Sequence, residues 1–223
     1  MMRPMALDAI VFDLDGTLVD TVETRIAAWL EALEGSGFPT TRDVVAPLIG
    51  ADGKRLAREI AALAGTALDD DGAEAADRLH GEVYSRMNRD PRPLPGVSAL
   101  AAAIEAHGIP WAIATSSRKE QVAASVDALG LDHQPAITDA SHVAQAKPAP
   151  DLLLRAAEDL GVEPARCWYV GDSTWDMVAA VSAGMIPIGV TAGAAIDAAA
   201  LRGSGAAVVI ETLEELAASL RDR

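Results

Sequence analysis

The residues of this chain best suited to chemistry stand in four places, each placed just after an apolar run or a turn. The first is Asp13-Leu14-Asp15-Gly16-Thr17, directly behind Ala9–Phe12. In an extended chain, positions two apart share a face, so Asp13 and Asp15 project together. Gly16 then lets the backbone turn. Two like charges so close repel unless a cation or a shared proton separates them. An Asp-rich turn closing a strand would use the same residues. The second place is Thr115-Ser116-Ser117, behind Trp111–Ala114. Hydroxyls at a helix start serve either an anion site or an ordinary N-cap. The third is Lys147-Pro148, where Pro148 and Pro150 restrain the backbone around a lone ammonium. The fourth is Gly171-Asp172-Ser173-Thr174-Trp175-Asp176, behind Cys167–Val170. Helix capping explains one of its acids. It does not readily explain acids beside a third carboxylate on a neighbouring strand.

The elements that must position these groups follow from hydrophobic periodicity. Thr21–Leu33 carries Val22, Ile26, Trp29, Leu30 and Leu33 at helical spacing, ended by Gly35 and Gly37. Lys54–Leu63 and Gly72–Met87 also read as helices, the latter with Leu79, Val83 and Met87 on one face. No strand is evident between Asp20 and Asp90. The run Asp90-Pro91-Arg92-Pro93-Leu94-Pro95-Gly96 then punctuates the chain as a linker would. Beyond it, helices and strands alternate. A helix at Val97–His107 precedes the strand Trp111–Ala114. Ser117-Arg118-Lys119-Glu120 reads as a capping box for a helix ending at Gly130. A weak strand at Ala136–Thr138, a helix at Asp151–Leu160, the strand Cys167–Val170 and a helix at Thr174–Ala183 come next. They lead to the strand Ile186–Val190, a short helix near Ala194–Leu201 and the apolar run Ala206–Ile210. Thr212-Leu213-Glu214-Glu215 caps a final helix.

Such alternation predicts an α/β fold with a doubly wound, mostly parallel sheet covered on both faces. Residues 1–19 and 93–223 form the α/β core in this reading, and 20–92 an all-helical insertion just after Asp15. An insertion there sits over the strand ends, where doubly wound sheets bind ligands. All four chemical groups then share one sheet edge. Bare carboxylates would repel there. Mg²⁺ prefers a few carboxylates with water and phosphate oxygens, and so makes sense of the charges. The hydroxyls and the lysine are left for the remaining phosphate oxygens.

Composition narrows the partners. The 223 residues are 50% hydrophobic and 23% charged, enough for a substantial core. A net charge of −15 argues against binding nucleic acid or a membrane surface, both negatively charged. It also means that a site for an anion needs local cations or a metal. The one cysteine, Cys167, excludes an internal disulfide and fits a reducing compartment. His80, His107, His133 and His142 lack metal-ligand spacing. The N-terminus has no signal-peptide apolar region and no stretch has the length of a membrane span, so the expected location is cytoplasmic.

The set Asp13-Leu14-Asp15-Gly16-Thr17, Thr115-Ser116, Lys147-Pro148 and Gly171-Asp172-Ser173 with Asp176 resembles the four motifs of the haloacid dehalogenase superfamily, in that family's order. The resemblance spans the whole chain and is nearest to the phosphoglycolate phosphatase and β-phosphoglucomutase-like branch. It implies a Rossmann-like core and a helical cap. It implies Asp13 as the nucleophile that forms an aspartyl-phosphate, and Asp15 as the acid/base. Thr115, Ser116 and Lys147 would bind the phosphoryl group. Asp13, Asp15 through its backbone carbonyl, and Asp172 would hold Mg²⁺, with Asp176 and Ser173 in support. Phosphate and neighbouring carboxylates would favour a proton on Asp15. That acid argues against dehalogenases and phosphonoacetaldehyde hydrolases, which lack it, although the latter use a cap lysine and Lys54 lies in the cap. β-Phosphoglucomutases usually carry His where Arg25 stands. The expectation is therefore hydrolysis of a small phosphate monoester, a sugar phosphate or phosphoglycolate-like metabolite, with a phosphosugar mutase as the alternative. Arg25, Lys54, Arg55 and Arg78 are the cap residues expected to contact the leaving group. The assembly is expected to be a monomer or homodimer.

Overall fold

Four residues without a polar side chain, Ala-Ile-Val-Phe, form strand β1 (Ala9–Phe12), buried along its whole length. A strand with no polar face belongs in the middle of a sheet covered on both sides. In the computed structural model, which describes residues 7–131 and 133–221, β1 pairs in parallel with β2 (Trp111–Ala114) and with β4 (Cys167–Gly171). Strand β3 (Ala136–Thr138) adds beyond β2. Strands β5 (Ile186–Val190) and β6 (Val208–Ile210) add beyond β4. The order is β3-β2-β1-β4-β5-β6, and all five pairings are parallel. The chain leaves β1 on one side for β2 and crosses to the other side for β4. A doubly wound sheet opens a ligand crevice at such a reversal. Register fixes what meets there: Phe12 lies opposite both Ile113 and Val170. Asp13, Thr115 and Asp172 therefore emerge at nearly the same level.

Alternate residues of β1 serve opposite faces. Ile10 and Phe12 pack with Leu100 and Ile104 of α5 (Val97–Ala106) and Leu213 and Leu216 of α10 (Leu213–Arg221). Val122 and Val126 of α6 (Lys119–Ala128) join that cluster. Ala9 and Val11 face Leu152 and Ala156 of α7 (Asp151–Leu160) and Ala179 and Ala180 of α8 (Thr174–Ala183). Small alanines on this second face let the helices approach the sheet closely, which suits the tightly packed interior. Helix α9 (Ala198–Gly203) lies between β5 and β6.

Between β1 and α5 the chain makes α1 (Val22–Gly35), α2 (Arg42–Val45), α3 (Gly53–Leu63) and α4 (Asp70–Met87). They share an apolar cluster of their own, including Ile26, Trp29, Leu33, Leu56 and Ile60. The chain leaves the sheet and returns to it side by side, through an antiparallel bridge between Val19 and Pro93. The amide of Asp20 donates to Arg92 O at 2.9 Å, and that of Leu94 to Leu18 O at 2.9 Å.

Several elements differ from the expectations drawn from sequence. The buried side of α4 is Ala73, Ala76, His80, Val83 and Tyr84, while Met87 is exposed and Leu79 only partly covered. A stripe of alanine, histidine and tyrosine escapes a search for large aliphatics. Helix α6 begins at Lys119, and Gln121 Oε1 accepts from the Arg118 amide. Ser117 is therefore not its cap. Helix α9 starts at Ala198, four residues late, because Asp197 accepts from the Ala200 amide at 2.9 Å and sets its beginning. Helix α2 and the 3-10 turn Ala46–Leu48 that follows it are too short to leave a periodic pattern.

Candidate active site

Asp13 leaves the end of β1 into a buried cluster. Lys147, itself fully buried, donates to Asp13 Oδ1 and to Asp176 Oδ1, both at 2.7 Å. It also reaches the Tyr169 hydroxyl at 3.3 Å. Burial alone would lower the ammonium's pKa, but Asp13 and Asp176 outweigh it and hold Lys147 above its usual range. Burial pushes Asp13 up to about 7, against the opposing pull of Lys147. It pushes Asp172 well above the carboxylate range too, with Asp176 and Asp13 adding to the effect. Each shift records charge held where water cannot solvate it.

Oxygens of Asp13, Asp172 and Asp176 lie within 4.8 Å of one another. Their surroundings differ. Asp176 Oδ1 accepts from Lys147 and from Tyr169 Oη at 2.9 Å, and Oδ2 accepts from the Ser173 amide at 3.0 Å and its hydroxyl at 2.5 Å. Both oxygens of Asp176 are thus occupied in anchoring Lys147 to the start of α8. Asp172 accepts from Thr17 Oγ1 at 2.8 Å. The turn between Asp15 and Thr17 requires glycine. Gly16 has φ +81°, and a Cβ there would run into the Asp172 carboxylate and Val22.

Asp15 faces away from this cluster. Its Oδ1 accepts from Thr21 Oγ1 at 2.7 Å and Tyr84 Oη at 2.9 Å. Its Oδ2 accepts from Arg25 Nη2 at 2.6 Å and Ser117 Oγ at 3.0 Å. The guanidinium of Arg25 lies over the Tyr84 ring, 3.9 Å from its centroid. Burial raises Asp15, but Arg25 and the hydroxyl donors outweigh it and hold the carboxyl below its ordinary value. The expected proton on Asp15 belongs to the substrate-bound site, with phosphate beside it; here Arg25 favours the charged carboxylate. The cation that does so comes from α1, 2.6 Å away.

Above Asp13 and Asp15, a cavity of about 40 Å³ separates the sheet edge from helices α1–α4. Thr115, Ser116 and Lys147 line it on the sheet side. The Thr115 amide is held by Thr138 O at 3.0 Å, Thr115 Oγ1 accepts from the Ser117 amide at 3.1 Å, and Ser116 Oγ donates to Gly50 O at 3.2 Å.

A strand-end carboxylate, a lysine, hydroxyls and a second acid pair thus meet at one switch point. Residues 10–190 match the family model of haloacid dehalogenase-like hydrolases. The chain belongs to the haloacid dehalogenase-like hydrolases. It is 35% identical over 198 residues to a phosphoglycolate phosphatase of Neisseria meningitidis, covering 84% of this chain and 81% of that one. It is 32% identical over 197 residues to a beta-phosphoglucomutase of Bacillus subtilis, covering 84% of each. The crystal structure of a hydrolase from Pseudomonas syringae superposes with a TM-score of 0.91 at 31% identity, over 96% of this chain and 98% of that one.

Of the cap cations expected in this haloacid dehalogenase-like hydrolase to meet a leaving group, only Arg25 lines the cavity. Lys54 stands 3.7 Å from Glu74, and Arg55 bonds Glu59 at 2.8 Å and stacks over Trp175. Arg78 lies in a separate groove beside Phe38. The reason is helical geometry. Gly53 and Leu56 are the residues of α3 that face the cavity, and Asp77 and His80 those of α4. Lys54, Arg55 and Arg78 occupy the other sides. Sequence reasoning missed Thr21, Tyr84 and Ser117 on Asp15, and Trp29, Asp77, His80 and Gln121 around the cavity. The spacing of Asp77, His80 and Tyr84 does carry a signal, since positions three and four apart share a helix face.

Proposed function

We propose that this haloacid dehalogenase-like hydrolase cleaves a small phosphate monoester with Asp13 as nucleophile and Mg²⁺ as cofactor. It is an enzyme of the phosphatase kind, in keeping with its curated relatives. The observation that carries the reading is Lys147 bridging Asp13 and Asp176 at 2.7 Å, with Asp172 in the same buried cluster. A lone ammonium leaves this acidic cluster in excess negative charge, and its donors are hard carboxylate oxygens. That set fits Mg²⁺. Asp13, Asp172 and the backbone carbonyl of Asp15 would hold the ion. Mg²⁺ supplies positive charge that draws off electron density from the phosphoryl oxygens.

The chain's own groups divide the remaining work. A carboxylate oxygen of Asp13 attacks phosphorus, splitting a hard displacement into two steps through an aspartyl-phosphate. Lys147, Thr115 and Ser116 hold phosphoryl oxygens as charge develops on them. Asp176 and Ser173 fix Lys147 in place. Asp15 gives a proton to the departing alkoxide and later takes one from the attacking water. For that it must leave Arg25, so substrate entry and the loosening of this ion pair belong to one event. The cavity admits a few waters at most. Helices α1–α4 therefore act as a cap that lifts to admit substrate and closes over it. The boundary between cap (20–92) and core (1–19, 93–223) is drawn at the Val19–Pro93 crossing.

The reading favours a small phosphorylated metabolite over nucleic acid or a membrane. No described helix is long and apolar enough to span a bilayer. We place the enzyme in the cytoplasm, as a monomer or homodimer. Turnover of a panel of phosphate esters with Mg²⁺ and with a chelator tests the function. Hydrolysis should require the metal and fall to background in Asp13→Asn, with circular dichroism unchanged. Retained turnover in that variant would remove Asp13 as nucleophile. The 32% identity to a beta-phosphoglucomutase motivates one more assay. If β-glucose 1-phosphate with a trace of the bisphosphate yields the 6-phosphate isomer, the enzyme is a mutase.

A further inference from the structure

Between α2 and α3 the chain crosses above the sheet edge in a short segment, residues 47–52. Its Leu48, Ile49, Gly50 and Ala51 line the cavity. The segment meets the loops after β2, β3 and β4, each through its own backbone. Gly50 O accepts from Ser116 Oγ at 3.2 Å, the Asp52 amide donates to Lys147 O at 3.0 Å, and Pro47 O accepts from Trp175 Nε1 at 3.0 Å. The fit is close at Gly50. Its φ is +93°, and a Cβ there would run into Ser173. A left-handed backbone with no room for a side chain favours glycine.

Two of these contacts converge on Lys147 from opposite ends. The Asp52 amide holds its carbonyl directly. Its ammonium is anchored by Asp176 at 2.7 Å, and Asp176 in turn accepts from Ser173 Oγ at 2.5 Å. Trp175 precedes Asp176 in the first turn of α8, so Pro47 reaches the ammonium end through Trp175 and Asp176. One short segment of the helical layer thus grips the same lysine twice. Trp175 stands outside the cavity lining. Its ring lies under the Arg55 guanidinium of α3, 4.9 Å from the ring centroid. An indole offers one N–H donor and an apolar face, and the helical layer engages both.

We propose that Trp175 is a positioning residue: it seats residues 47–52 on the start of α8, and this seating holds Lys147 where it meets the phosphoryl group. The helical layer then sets the phosphate end of the site as well as covering the leaving group. The proposal rests on the phosphatase reading given above. Its test is steady-state kinetics with Mg²⁺ on two esters of unlike leaving group, p-nitrophenyl phosphate and the best alkyl ester of the panel, together with the inhibition constant of inorganic phosphate. Trp175→Phe keeps an aromatic ring and removes the N–H. It should lower kcat/KM about fivefold on both esters alike, as loss of one neutral hydrogen bond implies, and raise the inhibition constant of phosphate by a like factor. Gly50→Ala should do at least as much. The double variant should be no worse than Gly50→Ala alone, because both changes undo one seating. If Gly50→Ala does not fold, the Trp175→Phe ratios decide the matter. A lower Tm in Trp175→Phe with kcat/KM and the phosphate constant unchanged would reduce the residue to packing and overturn the proposal. So would a fall on one ester only, or single losses that multiply in the double variant. Failure of the parent to turn over even the aryl ester would overturn the phosphatase reading, and this proposal with it.

Discussion

Four side chains hold Asp15, and they come from 6, 10, 69 and 102 residues away in sequence. Three belong to the entry and exit of the helical layer and one to the sheet edge. This is where charge and packing compete most directly. The ordinary carboxyl value is 3.8; burial raises it, and Arg25 with its companions lowers it further than burial raises it. A lowered folded-state value gives stability that is present above about 3.8 and lost as pH falls through the folded value. Arg25→Leu reverses the sign. Asp15 would then be a buried carboxyl without a counter-ion, raised above 3.8, and stability would decline as pH rises past that point. The expected cost at neutral pH is about 3–5 kcal/mol, the usual result of orphaning one partner of a buried pair. Urea unfolding at neutral pH and again near the carboxylate range should show this gap narrowing as Asp15 takes a proton. The candidate residues were legible in sequence because three of the four motifs, at Asp13, Thr115 and Asp172, directly follow a strand. Ser117 and Tyr84 were not. A serine beside a helix start reads as a cap, and a tyrosine 69 residues away carries no local sign of its partner.

At the scale of elements, strand ends and helix starts do the positioning. The apolar runs at Ala9–Phe12, Trp111–Ala114 and Cys167–Val170 were legible as strands because a sheet covered on both faces leaves no room for polar residues. Their order in the sheet was not, because it is fixed by non-local pairing. Cap orientation was misjudged for the same kind of reason. Helical periodicity tells which residues share a face but not which face meets the core, and Lys54, Arg55 and Arg78 fell on other sides. Gly16 tests whether the turn after β1 matters as a shape. Gly16→Ala would combine a positive φ with a Cβ driven into Asp172. It should cost at least about 1–2 kcal/mol of stability from the left-handed backbone alone. It should also weaken Mg²⁺ binding, measured by calorimetry, because the displaced carboxylate is a proposed ligand. An unchanged metal affinity would separate Asp172 from the metal.

The whole molecule is strongly acidic, with a formal charge of −15, yet it concentrates a lysine and three carboxylates in a buried cluster. A cation that binds the folded state alone stabilises it by about 2.7 kcal/mol at a hundred times its dissociation constant. For a chain of this length that corresponds to a rise in Tm of roughly 5–10 °C. Scanning calorimetry with Mg²⁺ and then with a chelator should show the rise and its loss; a Tm indifferent to both would exclude the site. Polar contacts between the helical layer and the sheet edge include Arg25–Asp15, Arg118–Asp77 and Trp175–Pro47. Contacts of this kind can be exchanged for water, as the proposed opening of the layer requires.

The most direct test of the central claim is to look for the phosphoryl group on Asp13. The enzyme is mixed with a turned-over ester and Mg²⁺, quenched in acid within a turnover and digested for mass spectrometry. The phosphoryl group should be found on the peptide containing Asp13 and be absent in Asp13→Asn. Steady turnover with no covalent phosphoenzyme, or a phosphoryl group on any other residue, would contradict the account.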